Sequence, residues 1–221
     1  MLFDFHTHTT LSDGVLLPME LIRRAIVAGY TALGISDHCS ASTMERVTRE
    51  VKQDCELARR HWDFVALTGV ELTHVPAEAI ADLAAQAKGF GAEYVVVHGE
   101  SPVEPVAAGT NLAACRCANV DILAHPGLLS SEAAEEAAAN GVFIELTCRQ
   151  GHCLGNGLVA RVAAEAGAKM LVNTDAHAPD DLLSEKFART VAMGAGLQTE
   201  QIERVLVENP IALLSRVGIE L

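Results

Sequence analysis

The sequence predicts an α/β fold whose parallel strands close into a (β/α)7 barrel. Three observations carry that prediction. Seven short apolar segments alternate with helical patterns along the 221 residues, an order that gives a parallel sheet. Nearly every one of these segments ends in a His, Asp or Glu. An open doubly wound sheet gathers its active groups at one switch point, from two or three strands. Here they come from six, and only a closed barrel brings six strand ends around one mouth, the face on which barrel active sites sit. No linker or low-complexity stretch interrupts the pattern, so residues 1–221 are expected to form a single domain.

Residues 1–8, Met-Leu-Phe-Asp-Phe-His-Thr-His, read as a short buried strand. Successive side chains on a strand alternate between faces, so His6 and His8 share one and can grip a single ion. Imidazole is the commonest nitrogen ligand of transition metals. A polar turn, Thr9 to Gly14, leads to a helix opened by Pro18 and ended at Gly29. A strand over 31–36 runs into Asp37-His38, and a charged helix follows over 42–61. The third strand, 64–72, ends in Gly69-Val70-Glu71, and Pro76 starts an alanine-rich helix. The fourth, from Tyr94, ends in His98-Gly99-Glu100, and a short helix is expected near 112–117. The fifth, 120–124, ends in His125-Pro126 before a helix over 132–140. The sixth, 142–146, leads into Thr147-Cys148-Arg149, then a helix over 158–167. The seventh, 169–172, ends in Asn173-Thr174-Asp175-Ala176-His177, and helices over 179–193, 199–208 and 210–216 close the chain.

Composition excludes several classes of function. A net charge of −13 argues against gripping a nucleic-acid backbone, which needs Lys/Arg patches. With six Phe, two Tyr and one Trp there is no stacking platform for single strands. No apolar run reaches the roughly 18 residues of a membrane span. The six cysteines form no Cys-x-x-Cys pair, and the start lacks the basic region of a signal peptide. The chain is therefore expected to be cytoplasmic, with reduced cysteines that mostly fill space.

The strand-end residues are His6, His8, Asp13, His38, Glu71, His98, His125, Asp175 and His177. Any one of them has an ordinary structural explanation. Nine at the C-terminal ends of strands do not share one, and imidazole mixed with carboxylate suits zinc, manganese and iron alike. No Gly-x-Ser-x-Gly or P-loop offers a different chemistry.

In the motifs Asp4-Phe5-His6-Thr7-His8, Ser36-Asp37-His38, Gly69-Val70-Glu71, His98-Gly99, Ala124-His125-Pro126 and Asn173-Thr174-Asp175-Ala176-His177, the chain resembles the polymerase and histidinol phosphatase (PHP) family of metal-dependent phosphoesterases. The motifs stand in the family's order across residues 4–177. The resemblance implies a distorted (β/α)7 barrel and two to three divalent ions, zinc, manganese or iron. It places His6, His8, Glu71 and Asp175 on the first, Glu71, His98 and His125 on the second, and Asp13, His38 and His177 on the third. Many relatives carry His where this chain has Asp13, which makes the third position harder.

Three divalent ions bring six positive charges, and Glu71, Asp175 and Asp13 remove three. The remainder matches a phosphate monoester dianion plus one hydroxide, which ions about 3.5–4 Å apart can share and direct in line at phosphorus. The resemblance, with which this count agrees, implies hydrolysis of a small-molecule phosphate monoester, histidinol-phosphate-like or a related metabolite, with Glu71 and Asp175 catalytic as well as ligating. Arg149 is a candidate fork for the substrate phosphate, as family members often use a basic residue in this region. His152 is a candidate acid for the leaving alkoxide. His74 and Lys186 are read as surface residues. Two alternatives remain: a phosphodiesterase on nucleotide-like substrates, or a C–N hydrolase of the amidohydrolase type. Against the second, no lysine stands at a strand end to bridge two metals.

Overall fold

A computed structural model describes all 221 residues. Eight strands are present: β1 (Phe3–Asp4), β2 (Ala32–Ile35), β3 (His38–Cys39), β4 (Val65–Leu72), β5 (Tyr94–His98), β6 (Ile122–Ala124), β7 (Phe143–Thr147) and β8 (Met170–Asn173). All pairings are parallel, in the order β1-β2-β4-β5-β6-β7-β8. The short β3 pairs with β4 in the register that β2 sets: Ile35 lies opposite Thr68, and His38 opposite Glu71. Together β2 and β3 make one barrel strand interrupted at Ser36-Asp37, so the barrel has the seven strands expected. Helices α1 (Pro18–Val27), α2 (Met44–His61), α3 (Ile80–Phe90), α4 (Thr110–Cys115), α5 (Ser131–Asn140), α6 (Asn156–Ala166), α7 (Glu185–Gly194), α8 (Thr199–Glu203) and α9 (Asn209–Arg216) follow the strands and close the chain. None is long and apolar enough to cross a membrane.

The seam between the first and last strands explains why the barrel is only nearly closed. The predicted strand over residues 1–8 enters the ladder only at Phe3–Asp4, and side chains replace most of the missing backbone pairs. The Phe5 N–H donates to Asn173 Oδ1 (3.0 Å), the Thr174 N–H to Asp4 Oδ1 (3.2 Å), and the Thr174 hydroxyl to Asp4 Oδ2. One bridge, Thr7 with Ala176, and the His8 N–H to the Ala176 carbonyl (2.8 Å) complete it. Burial pushes the Asp4 carboxyl up to about 7, while the hydroxyl of Thr174 and the backbone N–H groups of His6 and Thr174 favour its charged form.

Two cores stabilise the barrel. The larger lies between the sheet and the helices and includes Leu33, Val70, Val95, Val97, Leu123 and Ile144. The smaller fills the barrel with Phe3, Phe5, Leu67, Tyr94, Val96, Ile122, Phe143 and Leu171, closed by Leu213 and Leu214 of α9. Arg216 of α9 donates to the Gly141 (2.7 Å) and Ala118 (3.1 Å) carbonyls, so α9 sits at the N-terminal end of the strands. That leaves the C-terminal end for chemistry. A seven-stranded barrel is narrow, and Tyr94 fits because Gly34 and Gly69 have no side chain. A Cβ at either would fall 2.3 or 2.2 Å from the tyrosine.

The helix expected over 179–193 is broken. Asp181 Oδ2 accepts from the His177 (2.9 Å) and Ala178 (2.8 Å) N–H groups and caps the start of a single turn over Pro179–Asp181, after which Leu182 is extended. Ser184 then caps a new start, accepting from the Phe187 N–H at 3.2 Å. Two capping side chains three residues apart outweigh the continuous helical pattern. The stretch expected as a helix over 199–208 is α8 followed by a wider turn of helix over Arg204–Glu208.

Candidate metal centre

All nine expected ligands meet in one connected cluster at the C-terminal end of the strands. His6 and His8 stand just past β1 with ring centroids 5.1 Å apart. Asp175 Oδ1 lies 3.7 Å from His6 Nε2 and 3.1 Å from His8 Nε2. Glu71, from β4, is fully buried and central: its carboxylate lies 3.3 Å from His6 Nε2, 3.8 Å from both His8 Nε2 and His125 Nε2, and 2.6 Å from His38 Nδ1. His98 and His125 have ring centroids 4.4 Å apart. At the outer edge, Asp13 Oδ1 lies 3.2 Å from His177 Nε2 and 3.6 Å from His38 Nε2.

Local chemistry brings Asp13 to this edge. Asp37 is buried, and its carboxylate accepts from the Thr9 N–H, the Thr9 hydroxyl and the Ser12 hydroxyl, each at 2.6 Å. The turn then folds back so tightly that a Cβ on Gly14 would fall 2.4 Å from the His8 carbonyl oxygen, so only glycine fits. Val15 N–H donates to the His177 carbonyl (2.8 Å), tying the first loop to the last ligand.

The donor set fits divalent transition metals, and ring tautomers give the clearest sign. His6 Nδ1 is 2.8 Å from Glu145 Oε2, His98 Nδ1 is 3.1 Å from the Gly99 carbonyl, and His177 Nδ1 is 2.9 Å from the Asp175 carbonyl. These oxygens only accept, so each of the three rings carries a proton on Nδ1 and turns Nε2 inward. Metal-ligating histidines are usually oriented in this way. His6 Nε2, both nitrogens of His8, Glu71 Oε1 and His125 Nδ1 are buried without any hydrogen-bond partner. Orphaned polar atoms at this density are costly unless something binds them. Sets of ligand atoms close enough to share an ion are His6/His8/Asp175, His6/Glu71/His125, His8/Asp13/His38/His177 and His98/His125/His152.

The electrostatics favour charged carboxylates. Burial opposes ionisation of Glu71, but His6 and His38 outweigh it and hold its pKa well below the ordinary range. Asp175 is likewise lowered against burial by His6 and His8. The hydrogen bond from His177 holds Asp13 down to about 2. Burial lowers His8 and, with His98 beside it, lowers His125 well below the usual value, which keeps their lone pairs free. At His6 and His38 burial is overcome by neighbouring carboxylates, Glu145 first for His6 and Glu71 first for His38. His125 and Asp175 also adopt left-handed backbone (φ 24° and 56°), unusual outside glycine and frequent at functional sites.

The remaining candidates fall on two sides of the cluster. His152 is buried, with its ring 4.5 Å from that of His125. Arg149 donates to the Asp175 carbonyl at 3.3 Å, lies 3.6 Å from Asp181 Oδ2, and lines a cavity of about 650 Å³ with Cys148, Thr174 and Phe187. Lys186 is exposed. His74, read from the sequence as a surface residue, is half-exposed, but its ring centroid lies 5.0 Å from that of His98. Sequence reasoning missed Glu145, which accepts from His6 Nδ1, the His125 N–H (3.2 Å) and Asn173 Nδ2 (3.0 Å). Its signal was a charged residue inside the five-residue buried strand Phe-Ile-Glu-Leu-Thr. It also missed Glu104, which lies 3.0 Å from His98 Nε2 and carries no comparable signal.

The sequence model of the PHP domain matches residues 4–139. An uncharacterized protein of Methanocaldococcus jannaschii is 47% identical over 218 residues, 98% of this chain and 100% of that protein. A DNA polymerase/3'-5' exonuclease of Bacillus subtilis is 28% identical over 220 residues, 90% of this chain and 38% of that one. Among solved structures, the histidinol phosphate phosphatase of Lactococcus lactis, complexed with zinc, L-histidinol and phosphate, matches with a TM-score of 0.59 at 13% identity. That match covers 89% of this chain and 94% of the phosphatase, and it speaks to the fold.

Proposed function

Because the chain belongs to the PHP domain family, we propose that it is a metal-dependent phosphoesterase acting on a small phosphate monoester. The observation that supports this best is the convergence of inward-facing Nε2 atoms and buried carboxylates on Glu71 and Asp175. His6, His8, Glu71 and Asp175 would hold one ion, Glu71, His98 and His125 a second, and Asp13, His38 and His177 a third. Bound ions of this kind act as Lewis acids toward phosphoryl oxygens and lower the pKa of water at neutral pH.

The chain's own residues do the rest. Glu145, Gly99 and the Asp175 carbonyl hold protons on Nδ1 of His6, His98 and His177, fixing each ring before substrate arrives. Glu71 and Asp175 carry the negative charge that keeps ligands together and water polarised. His152, buried beside His125, delivers a proton to the leaving alkoxide, and Arg149 forks onto the phosphate after releasing Asp181. No lysine reaches the cluster: Lys88 pairs with Asp121, whose other oxygen is held by Arg216 of α9, and Lys169 precedes β8. An amidohydrolase-type site with a bridging lysine has no support here.

A second reading, phosphodiester hydrolysis on a nucleotide-like substrate, is favoured by the polymerase/exonuclease relative. One experiment addresses both. Metal content is measured on protein prepared without chelators, and the same protein is screened against phosphate monoesters and dinucleotides with manganese or zinc. Two to three ions per chain and turnover of a monoester are expected. Less than one ion per chain overturns the three-ion reading, and turnover of dinucleotides alone overturns the monoesterase reading. A cytoplasmic setting fits the six free thiols.

A further inference from the structure

Glu104 stands in the loop that follows β5, among three imidazoles. Its Oε2 lies 3.0 Å from His98 Nε2 and 3.1 Å from His74 Nε2, and its Oε1 lies 3.3 Å from His152 Nε2. The His98 proton is fixed on Nδ1 by the Gly99 carbonyl. The ring's Nε2, the atom a ligating imidazole offers, faces a carboxylate oxygen at 3.0 Å. That separation is what two ligands at right angles show about an ion with bonds of about 2.1 Å. His74, His98 and Glu104 form a set whose ligand atoms lie within 4.8 Å of one another.

Two further observations point the same way. His74 has a left-handed backbone, φ 52°, shared among non-glycine residues only with His125 and Asp175, both expected ligands. His152 Nδ1 is buried without a partner, on a ring that also belongs to the His98/His125/His152 set. The ends of the loop are pinned independently: Glu100 accepts from the Gly109 (3.1 Å) and Asn111 (3.0 Å) N–H groups, and Asn111 Oδ1 accepts from the Glu100 N–H (2.9 Å). Glu104, between those pins, has only histidines as side-chain partners.

We propose that Glu104 is a further ligand of the ion held by His98, supplied by the loop rather than by a strand and oriented by His74 and His152, so that binding of that ion orders residues 102–108. This rests on the reading of His98 as a ligand, and it extends the three-residue set of the second position.

The test uses metal-depleted full-length protein and its Glu104→Gln variant, titrated with Mn²⁺ by calorimetry and with Co²⁺ by visible absorption. One equivalent should weaken by about tenfold or more in the variant, with the Co²⁺ spectrum changed for that equivalent and the others unmoved. Adding Mn²⁺ should slow hydrogen exchange in residues 102–108 of the wild type and not of the variant. Glu104→Asp, one methylene too short, should behave like Glu104→Gln. Unchanged affinities and spectra, in a wild type that does bind ions, overturn this proposal alone. Less than one equivalent bound by the wild type overturns the parent reading of the cluster and this proposal with it.

Discussion

Glu145 Oε2 accepts a hydrogen bond from His6 Nδ1 at 2.8 Å, with both side chains fully buried. The same carboxylate accepts from the His125 N–H and from Asn173 Nδ2. Three donors from three different strand ends converge on it, and Asn173 in turn closes the β1–β8 seam through the Phe5 N–H. One carboxylate thus couples barrel closure to the orientation of an imidazole of the candidate metal centre.

Glu145→Gln should therefore be costly although it is nearly isosteric. An amide offers one accepting oxygen, so its NH2 would face at least one of the three donors. Metal affinity at the position that His6 serves should fall by about ten- to a hundredfold, read by competition with a chromophoric chelator. Affinity equal to wild type would show that His6 needs no such orientation.

The carboxylates of the candidate metal centre should not be equivalent. Glu71 is fully buried and within 3.8 Å of His6, His8, His38 and His125, whereas the Asp13 side chain is 57% exposed and meets His38, His177 and the Ser12 hydroxyl. Glu71→Gln should lower kcat on a phosphate ester far more than Asp13→Ala, which should act mainly through phosphate binding. Rates and metal content measured in parallel decide it. Equal losses, or a milder effect at Glu71, would count against the bridging role.

Most of this site is legible in the sequence because most of the candidate ligands end an apolar run. Glu71 closes Val65–Leu72, His98 closes Tyr94–His98, and His125 follows Ile122–Ala124. Barrel closure is legible for the same reason, since six such ends need one mouth. The seam is not, because Asp4, Asn173 and Thr174 replace ladder bonds with side-chain bonds and leave no periodic trace. Glu104 is not legible either. It lies in a loop, and only the fold brings it to His74 and His98, which stand 24 residues apart on different strand ends.

Tyr94 and Gly69 form a packing pair that can be tested separately from the chemistry. A methyl group on Gly69 would overlap the tyrosine ring at 2.2 Å, in a barrel with no spare room. Gly69→Ala should destabilise by about 1–3 kcal/mol, and the penalty should shrink when Tyr94 is Leu. Urea unfolding of the four proteins in the double-mutant cycle gives the coupling. Equal penalties in both backgrounds would mean the strand simply shifts to make room.

Arg149 offers the sharpest test of substrate recognition. Its guanidinium donates to the carbonyl of Asp175, a residue of the candidate metal centre, and lies 3.6 Å from Asp181. Transfer from Asp181 to a substrate phosphate exchanges one anionic partner for a more highly charged one that accepts the fork in two bonds. The contact exists in the ground state as well as the transition state, so it should appear in KM more than in kcat. Arg149→Ala should lose about 1.5–3 kcal/mol, a charged hydrogen bond, or roughly ten- to a hundredfold in kcat/KM. Arg149→Lys should recover only part, because it keeps the charge and loses the fork. Metal content should be unchanged in both, since no ligand is removed. Wild-type kinetics in Arg149→Ala would assign the residue to the Asp181 ion pair alone.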